Sequence, residues 1–165
     1  MSEPGVPNIE LPLDATEEEL KSTSLTFYIG DTIYGLPLTN VVEIISVQPI
    51  AKVPGTPAYV KGVINLRGGI VPLVDVRLKF GQPEKEYDEF TNVIITVLND
   101  MTVGLVVDRV ANVVRSESVD ISQLPEFSTV NTNRYMTSVS RTGDNLIMNL
   151  NCETILEDDN ILNLA

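Results

Sequence analysis

The sequence contains no histidine and a single cysteine, Cys152. The missing histidine excludes nucleophilic sites of the Ser-His-Asp and Cys-His kinds and zinc sites built on imidazole. It also removes the usual general base at neutral pH. One thiol can form neither an internal disulfide nor a thiolate zinc site, and it suits a reducing compartment. Basic residues are scarce: 11 Lys and Arg stand against 23 Asp and Glu, for a formal net charge of −12. They are scattered, so the clustered cations needed to hold nucleic-acid phosphates or anionic lipid are missing. No apolar run approaches the roughly 20 residues of a membrane-spanning helix. The start, MSEPGVPNIELPLD, has no basic leader and no apolar core, so it does not read as a secretory signal. These absences point to a cytoplasmic protein with no cofactor and no metal, which binds no nucleic acid and does not insert directly into a membrane.

What is present reads as strand. The chain has 165 residues, 43% of them hydrophobic, enough for one domain or two small units sharing a core. LTFYIGDTIYGLPL alternates apolar and polar residues around Gly30-Asp31, and NVIITVLNDMTVGLVV does so around Asn99-Asp100. Val, Ile and Thr favour the pleated surface of a sheet. A shift of 69 residues lays Phe27 to Asp31 on Thr96 to Asp100, Gly35-Leu36 on Gly104-Leu105 and VVEII on VANVV. A shift of 76 lays Tyr59 to Val74 on Tyr135 to Leu150. The common order and near-constant offset predict a duplicated β unit.

Each unit has about five short strands, which suits a small closed barrel with few exposed edges. The expected fold is therefore all-β, with two barrels side by side around a shared core and a groove between them. The expected boundaries are an acidic, solvated tail over 1–22, with capping-box spacing at Thr16 and Glu19 for one helical turn. A single domain then runs over 23–157, with the first barrel mainly 24–85 and the second mainly 90–150. The C-terminal segment has the option of packing back on the first barrel. A tail or last helical turn covers 158–165. PIAKVPGTP reads as a loop, GQPEKEYDE as the link between units, and the long connection after Glu117 has room for a helical turn near Glu117 to Leu124.

Few residues suggest chemistry. Arg67-Gly68-Gly69 precedes a strand, not a helix, so it is no phosphate loop. From spacing alone it is a turn, with glycine at positive φ and a solvated arginine. Asp75, Asp100, Asp108 and Glu43 fall at strand ends or turns, where capping, solvation or an interface accounts for them. Cys152 reads as a small core residue, and Tyr28, Tyr34, Tyr59 and Tyr135 as barrel packing with the hydroxyl at the surface. No catalytic constellation remains. The pattern suits a binding or scaffold protein, not an enzyme.

VKGVINLRGGIVPLVDVRLKFG, residues 60–81, resembles the signature of the CheW family of bacterial and archaeal chemotaxis coupling proteins. YGLPLTNVVEII and VGLVVDRVANVV look like its two equivalent strand pairs, and LPEF, Leu124 to Phe127, like its proline-containing segment before the last strands. The resemblance covers Ser24 to Leu156. It implies two five-stranded SH3-like β-barrels and a non-catalytic adaptor that couples methyl-accepting chemoreceptors to the histidine kinase CheA, at membrane receptor arrays. The kinase's regulatory domain shares the fold. Position by position, the resemblance assigns receptor binding to Val41, Glu43, Arg67, Val110 and Val113. It assigns the kinase-facing surface to Val53, Pro54, Pro57, Lys61, Gly62, Leu78 and Phe80. Gly68 and Gly69 form the structural turn.

There are departures. Ser138 and Ser140 stand where the family often has glycines, Asn149 and Asn151 replace apolar or acidic residues, and the N-terminal extension has no placed counterpart. Two other readings stay open: an adaptor of a different receptor-kinase pathway, for surface motility or developmental signalling, and a small-molecule-binding β-barrel.

Overall fold

A computed structural model of the chain describes residues 9–12, 14–115, 120–122 and 134–157. The alternating segments fold as strands: β1 (Thr23–Ile29), β2 (Thr32–Pro37), β3 (Val41–Ser46), β4 (Val60–Leu66), β5 (Gly69–Asp75), β6 (Asn92–Leu98), β7 (Met101–Val107) and β8 (Arg109–Arg115). A three-residue β9 (Asp120–Ser122) precedes β10 (Met136–Thr142) and β11 (Asn145–Leu150). Asp120–Ser122 pairs with β10, so strand replaces the helical turn expected there. The LPEF segment, residues 1–8 of the expected N-terminal tail and the 158–165 tail lie outside the described residues.

Two curled sheets form the body, in the orders β3-β6-β7-β5-β4 and β8-β1-β2-β11-β10-β9. They are the two five-stranded barrels expected, the second extended by β9. Their membership differs from the expected division at the 81–89 link. Hairpin β1–β2 is completed by β8, β10 and β11 from the second half of the chain, while β6–β7 is completed by β3, β4 and β5 from the first. The two repeats have exchanged partners. The exchange follows from short β2–β3 and β7–β8 connections, which carry each chain segment directly across to the other sheet.

The repeat itself holds residue by residue. Gly35 lies beside Asn149 in the parallel β2–β11 pairing, and Gly104 beside Leu73 in the parallel β5–β7 pairing. Both late hairpins carry a bulge at the same place, between Val60 and Gly62 and between Met136 and Ser138. Asp75 N–H donates to the Tyr59 carbonyl at 2.7 Å, and its equivalent, Asn151 N–H, to that of Tyr135 at 2.8 Å. Asp75 and Asn151 then start two short helices, α2 (Val76–Lys79) and α3 (Cys152–Glu157), by accepting backbone N–H groups with their side chains.

The exchanged strands enclose one large core between the barrels. Leu25, Phe27 and Ile29 of β1 face it with Ile94 of β6, Val103 and Leu105 of β7, Val76 and Phe80 at α2, and Ile155 and Leu156 of α3. Each such side chain contributes about 1.5–3 kcal/mol by leaving water. Phe27, Tyr34, Phe80 and Tyr135 stack in series, with centroids 5.8, 5.1 and 5.4 Å apart. Cys152 is buried there as expected, and burial pushes its thiol up to about 11. Tyr34 and Tyr135 are buried rather than surface-facing, and the Tyr59 hydroxyl is enclosed too. A second cluster, with Ile64, Val71, Leu73, Val93, Ile95 and Val106, fills the five-stranded barrel.

Residues 9–22 are not a solvated tail. Thr16 caps a helix α1 (Glu17–Lys21) by accepting the Glu19 N–H at 3.2 Å, as the capping spacing predicts. Ile9, Leu11 and Leu20 pack on the central core, and their apolar area is what ties the segment down. The 81–89 link is pinned as well: Tyr87 donates to buried Asp75 at 2.6 Å, and Arg77 Nη1 donates to the Pro83 carbonyl at 3.3 Å. Burial, then the Asp75 carboxylate, push the Tyr87 hydroxyl far above its ordinary range.

Arg77 also grips Asp108 with Nε at 3.3 Å and Nη2 at 2.9 Å, and Gly30 N–H donates to the same carboxylate at 2.7 Å. This joins α2, the β1–β2 turn and the β7–β8 corner. Burial alone would raise the Asp108 carboxyl, but these donors outweigh it and hold it below the usual range. A carboxylate with a depressed folded pKa stabilises fully above its unfolded value of about 3.9, and the contribution is lost as pH falls through the folded value. Asp108→Asn therefore lowers unfolding free energy at pH 7 by about 1–2 kcal/mol. In denaturant titrations the gap to wild type should narrow as pH falls below the unfolded value of about 3.9 and close once pH is below the folded value.

Candidate partner-binding surface

Arg67 and Gly68 are the two central residues of the β4–β5 hairpin, since Leu66 pairs with Gly69. Both have positive φ, 50° and 85°, the handedness that matches the twist of a two-residue hairpin. Gly69 opens β5 without a positive φ, so the turn pair is Arg67-Gly68 rather than Gly68-Gly69. Asn65 Oδ1 supports the turn by accepting the Gly68 N–H at 3.1 Å. A left-handed arginine costs roughly 1–2 kcal/mol that glycine would avoid. The equivalent hairpin indeed has Gly143 there, at φ 60°.

What Arg67 gains is Glu43. The guanidinium forks onto the carboxylate, with Nη1 to Oε2 at 3.4 Å and a closer contact from Nη2 to Oε1. Glu43 sits on β3, one edge strand of the five-stranded sheet, and Arg67 directly follows β4, the other. The pair therefore spans the two open edges of the barrel. Arg67 stays 69% exposed, and its hydrogen bond with Glu43, then the charge of Glu43, raise its pKa further. The Glu43 equivalent is Asn112, so the other barrel has no such ion pair at that place.

Two nearby residues, Val42 of β3 and Ile70 of β5, are apolar and open to solvent, 45% and 61% exposed. An arginine–carboxylate fork beside exposed branched side chains is a surface that a protein partner can read. Sequence reasoning missed Val42 and Ile70. The strand period could have found Val42's displacement only with knowledge of the bulge between Val41 and Glu43.

The remaining expected receptor positions sit deeper. Val41 and Val113 are half-buried against the central core, on equivalent edge strands. Val110 is 3% exposed and pairs with Phe27, so its side chain belongs to the core rather than the surface. The expected kinase-facing set divides similarly. Pro54 and Pro57 are exposed, while Val53 and Leu78 are half-buried. Lys61 forms an ion pair with Glu84 at 2.6 Å and lies over the Tyr87 ring at 5.7 Å. Phe80 is 3% exposed inside the aromatic stack, which removes it from any surface.

Gly62 is also buried. It has φ 139° at the bulge, and a Cβ there would stand 2.2 Å from the Ala51 carbonyl oxygen. That carbonyl accepts the Val63 N–H at 2.8 Å, and Ala51 N–H donates back to Val63 at 2.9 Å. Gly62 thus lets the proline-rich 49–57 loop dock on β4, a role inside the fold.

Residues 23–160 match the family described as CheW-like domain. The chain belongs to the CheW-like family. The chemotaxis protein CheW of Helicobacter pylori is 37% identical over 134 residues, covering 81% of this chain and 80% of that protein. The chemotaxis protein CheW of Klebsiella aerogenes is 35% identical over 135 residues, covering 82% and 81%. Among solved structures, the crystal structure of scaffolding protein TtCheW from Thermoanaerobacter tengcongensis superposes with a TM-score of 0.74 at 28% identity, covering 84% of this chain and 94% of that one. The CheW-like match takes in both barrels and the Arg67–Glu43 edge.

Because Gly62 acts inside the fold, Gly62→Ala should lower stability by about 2–4 kcal/mol, from a strained φ plus the clash with Ala51. A thermal melt reads this directly, and an unchanged melting temperature would restore Gly62 to the set of surface residues.

Proposed function

We propose that the chain is a non-catalytic coupling adaptor of bacterial chemotaxis, joining methyl-accepting receptors to the histidine kinase CheA through the kinase's regulatory domain. The observation that carries this reading is the CheW-like match over residues 23–160, with relatives named as chemotaxis and scaffolding proteins. Among the described residues no helix is long and apolar enough to cross a membrane. The adaptor then works from the cytoplasmic side, held to the array by its partners.

In this reading the receptor contacts the β3–β4 edge. Arg67 supplies donors in a rigid fork, Glu43 orients it, and Val42, Ile70, Val41 and Val113 supply apolar contact. The kinase contacts Pro54, Pro57, Val53, Lys61 and Leu78. Val110, Gly62 and Phe80 support these surfaces from inside. The strain at Arg67 supports the assignment: a residue that is costly for the turn is retained for something other than the turn.

Two substitutions separate recognition from folding. Arg67→Gly relieves the left-handed arginine, so the melting temperature should hold or rise. Receptor binding, read by co-sedimentation with receptor-containing membranes, should nonetheless weaken by about tenfold or more. Arg67→Glu should weaken it further, by setting two carboxylates together. Receptor binding that survives both changes removes Arg67 from the interface. A failure to bind either receptor or the kinase's regulatory domain, in the wild-type protein, removes the coupling function itself.

A further inference from the structure

We propose that the six-stranded barrel binds a small uncharged molecule bearing neighbouring hydroxyl or amide groups, separately from the coupling surface. The internal repeat makes the case, because it supplies a matched comparison within one chain. The five-stranded barrel is filled by Ile64, Leu73, Val93 and Ile95 among others. Their equivalents in the six-stranded barrel, by the same register of pairing, are Ser140, Asn149, Ser24 and Thr26. Four branched apolar side chains are replaced by three hydroxyls and an amide. The dry packing of the first barrel is given up in the second, and a cavity of about 180 Å³, open to solvent on one side and walled also by Val114, Ile147 and Leu150, takes its place. At about 30 Å³ per water, that is room for roughly six waters or one small polyol.

The polar atoms lining the cavity are arranged but not used up. Asn149 Nδ2 donates to Ser138 Oγ at 2.9 Å and to Ser140 Oγ at 2.7 Å. Both serines act as acceptors, so each keeps its hydroxyl proton to give to something else. Among the described residues, none donates to Asn149 Oδ1 and none bonds the Ser24 hydroxyl. Thr26 contrasts with these: it is committed to Asn112, accepting that N–H at 3.0 Å. Ser140 is 5% exposed, so its proton has only the cavity to turn to. Two donors and one acceptor held by a single amide match a guest with adjacent hydroxyl or amide groups, which can accept and donate at once. The guest is uncharged because, among the described residues, no ionisable side chain stands inside to compensate a buried charge. Lys21, at the rim, is exposed to solvent.

The test uses the full chain, labelled with ¹⁵N, and follows amide shifts on titration with erythritol. Sucrose, too large for the cavity, controls for general polyol exclusion. Erythritol should give saturable shifts centred on Ser24, Ser138, Ser140 and Asn149, and sucrose should not. Asn149→Leu installs the residue of the dry barrel and should weaken erythritol by about tenfold or more. Ser140→Ala removes one hydroxyl without adding bulk, and should also weaken it if the leucine variant does not fold. Shifts that never saturate, that match those of sucrose, or that persist in Ser140→Ala overturn the proposal and leave a merely hydrated barrel. Tighter binding of lactate than of erythritol, abolished by Lys21→Ala, would overturn the uncharged guest.

Discussion

The pairing of β1 with β8 and of β3 with β6 is the constraint on which the rest of the structure depends, because each joins an early strand of one repeat to the third strand of the other. A barrel made from one repeat alone would be a unit of roughly 60–70 residues, too small to bury a sizeable core. Exchange turns two marginal barrels into one body. The faces of β1, β2, β6 and β7 that would otherwise meet solvent lie against each other, and α2 and α3 close the two ends of that layer. The edge that carries the Arg67–Glu43 ion pair inherits its rigidity from this arrangement. Glu43 stands on a strand hydrogen-bonded to β6, and Arg67 on a hairpin hydrogen-bonded through β5 to β7.

The two barrels then diverge in what they do with the same architecture. The five-stranded one has a dry interior and carries an exposed ion pair across its edges. The six-stranded one has no ion pair at that place and a polar interior. Duplication left two copies of each position, and the members of a pair have taken different roles, as Glu43 and Asn112, Arg67 and Gly143, and Leu73 and Asn149 show. The contrast also argues that this turn position accepts glycine, since the equivalent turn has Gly143 at positive φ there, although Asp144, unlike Gly68, does not share the left-handed backbone.

Much of this was legible in the sequence. Alternation around Gly30-Asp31 and Asn99-Asp100 located hairpins, because a side-chain period of two is a local property. The offset repeat was legible too, and it survives in the register down to both bulges. The exchange was not, since partners that lie dozens of residues apart, as in β3 with β6 and β1 with β8, leave no local trace. Apolar positions likewise indicate burial without saying in what. Val110 and Phe80 matched family positions at a surface, yet Phe27 and Tyr34 enclose them. Thr16 and Glu19 announced a helix, whereas the anchoring of residues 9–22 depended on Ile9, Leu11 and Leu20 finding a core made elsewhere. The NVIITV run read as simple alternation, yet β6 lies between two cores: Ile94 faces the central one, and Val93 and Ile95 face the interior of the five-stranded barrel.

The exchange has a consequence for how the chain reaches its fold. Thr26 is bonded to Asn112, 86 residues away, and Gly35 lies beside Asn149. The residues of hairpin β1–β2 are made early on a growing chain, but its two edges are covered only by strands made long after it. The five-stranded barrel, by contrast, has all its strands once Val107 is made. It can close while β1–β2 still offers unpaired N–H and C=O groups. That interval is when a strand from another molecule could take the place reserved for β8 or β11. The slow, non-local closure of the six-stranded barrel therefore makes assembly order, as much as final stability, a property written into the swapped topology.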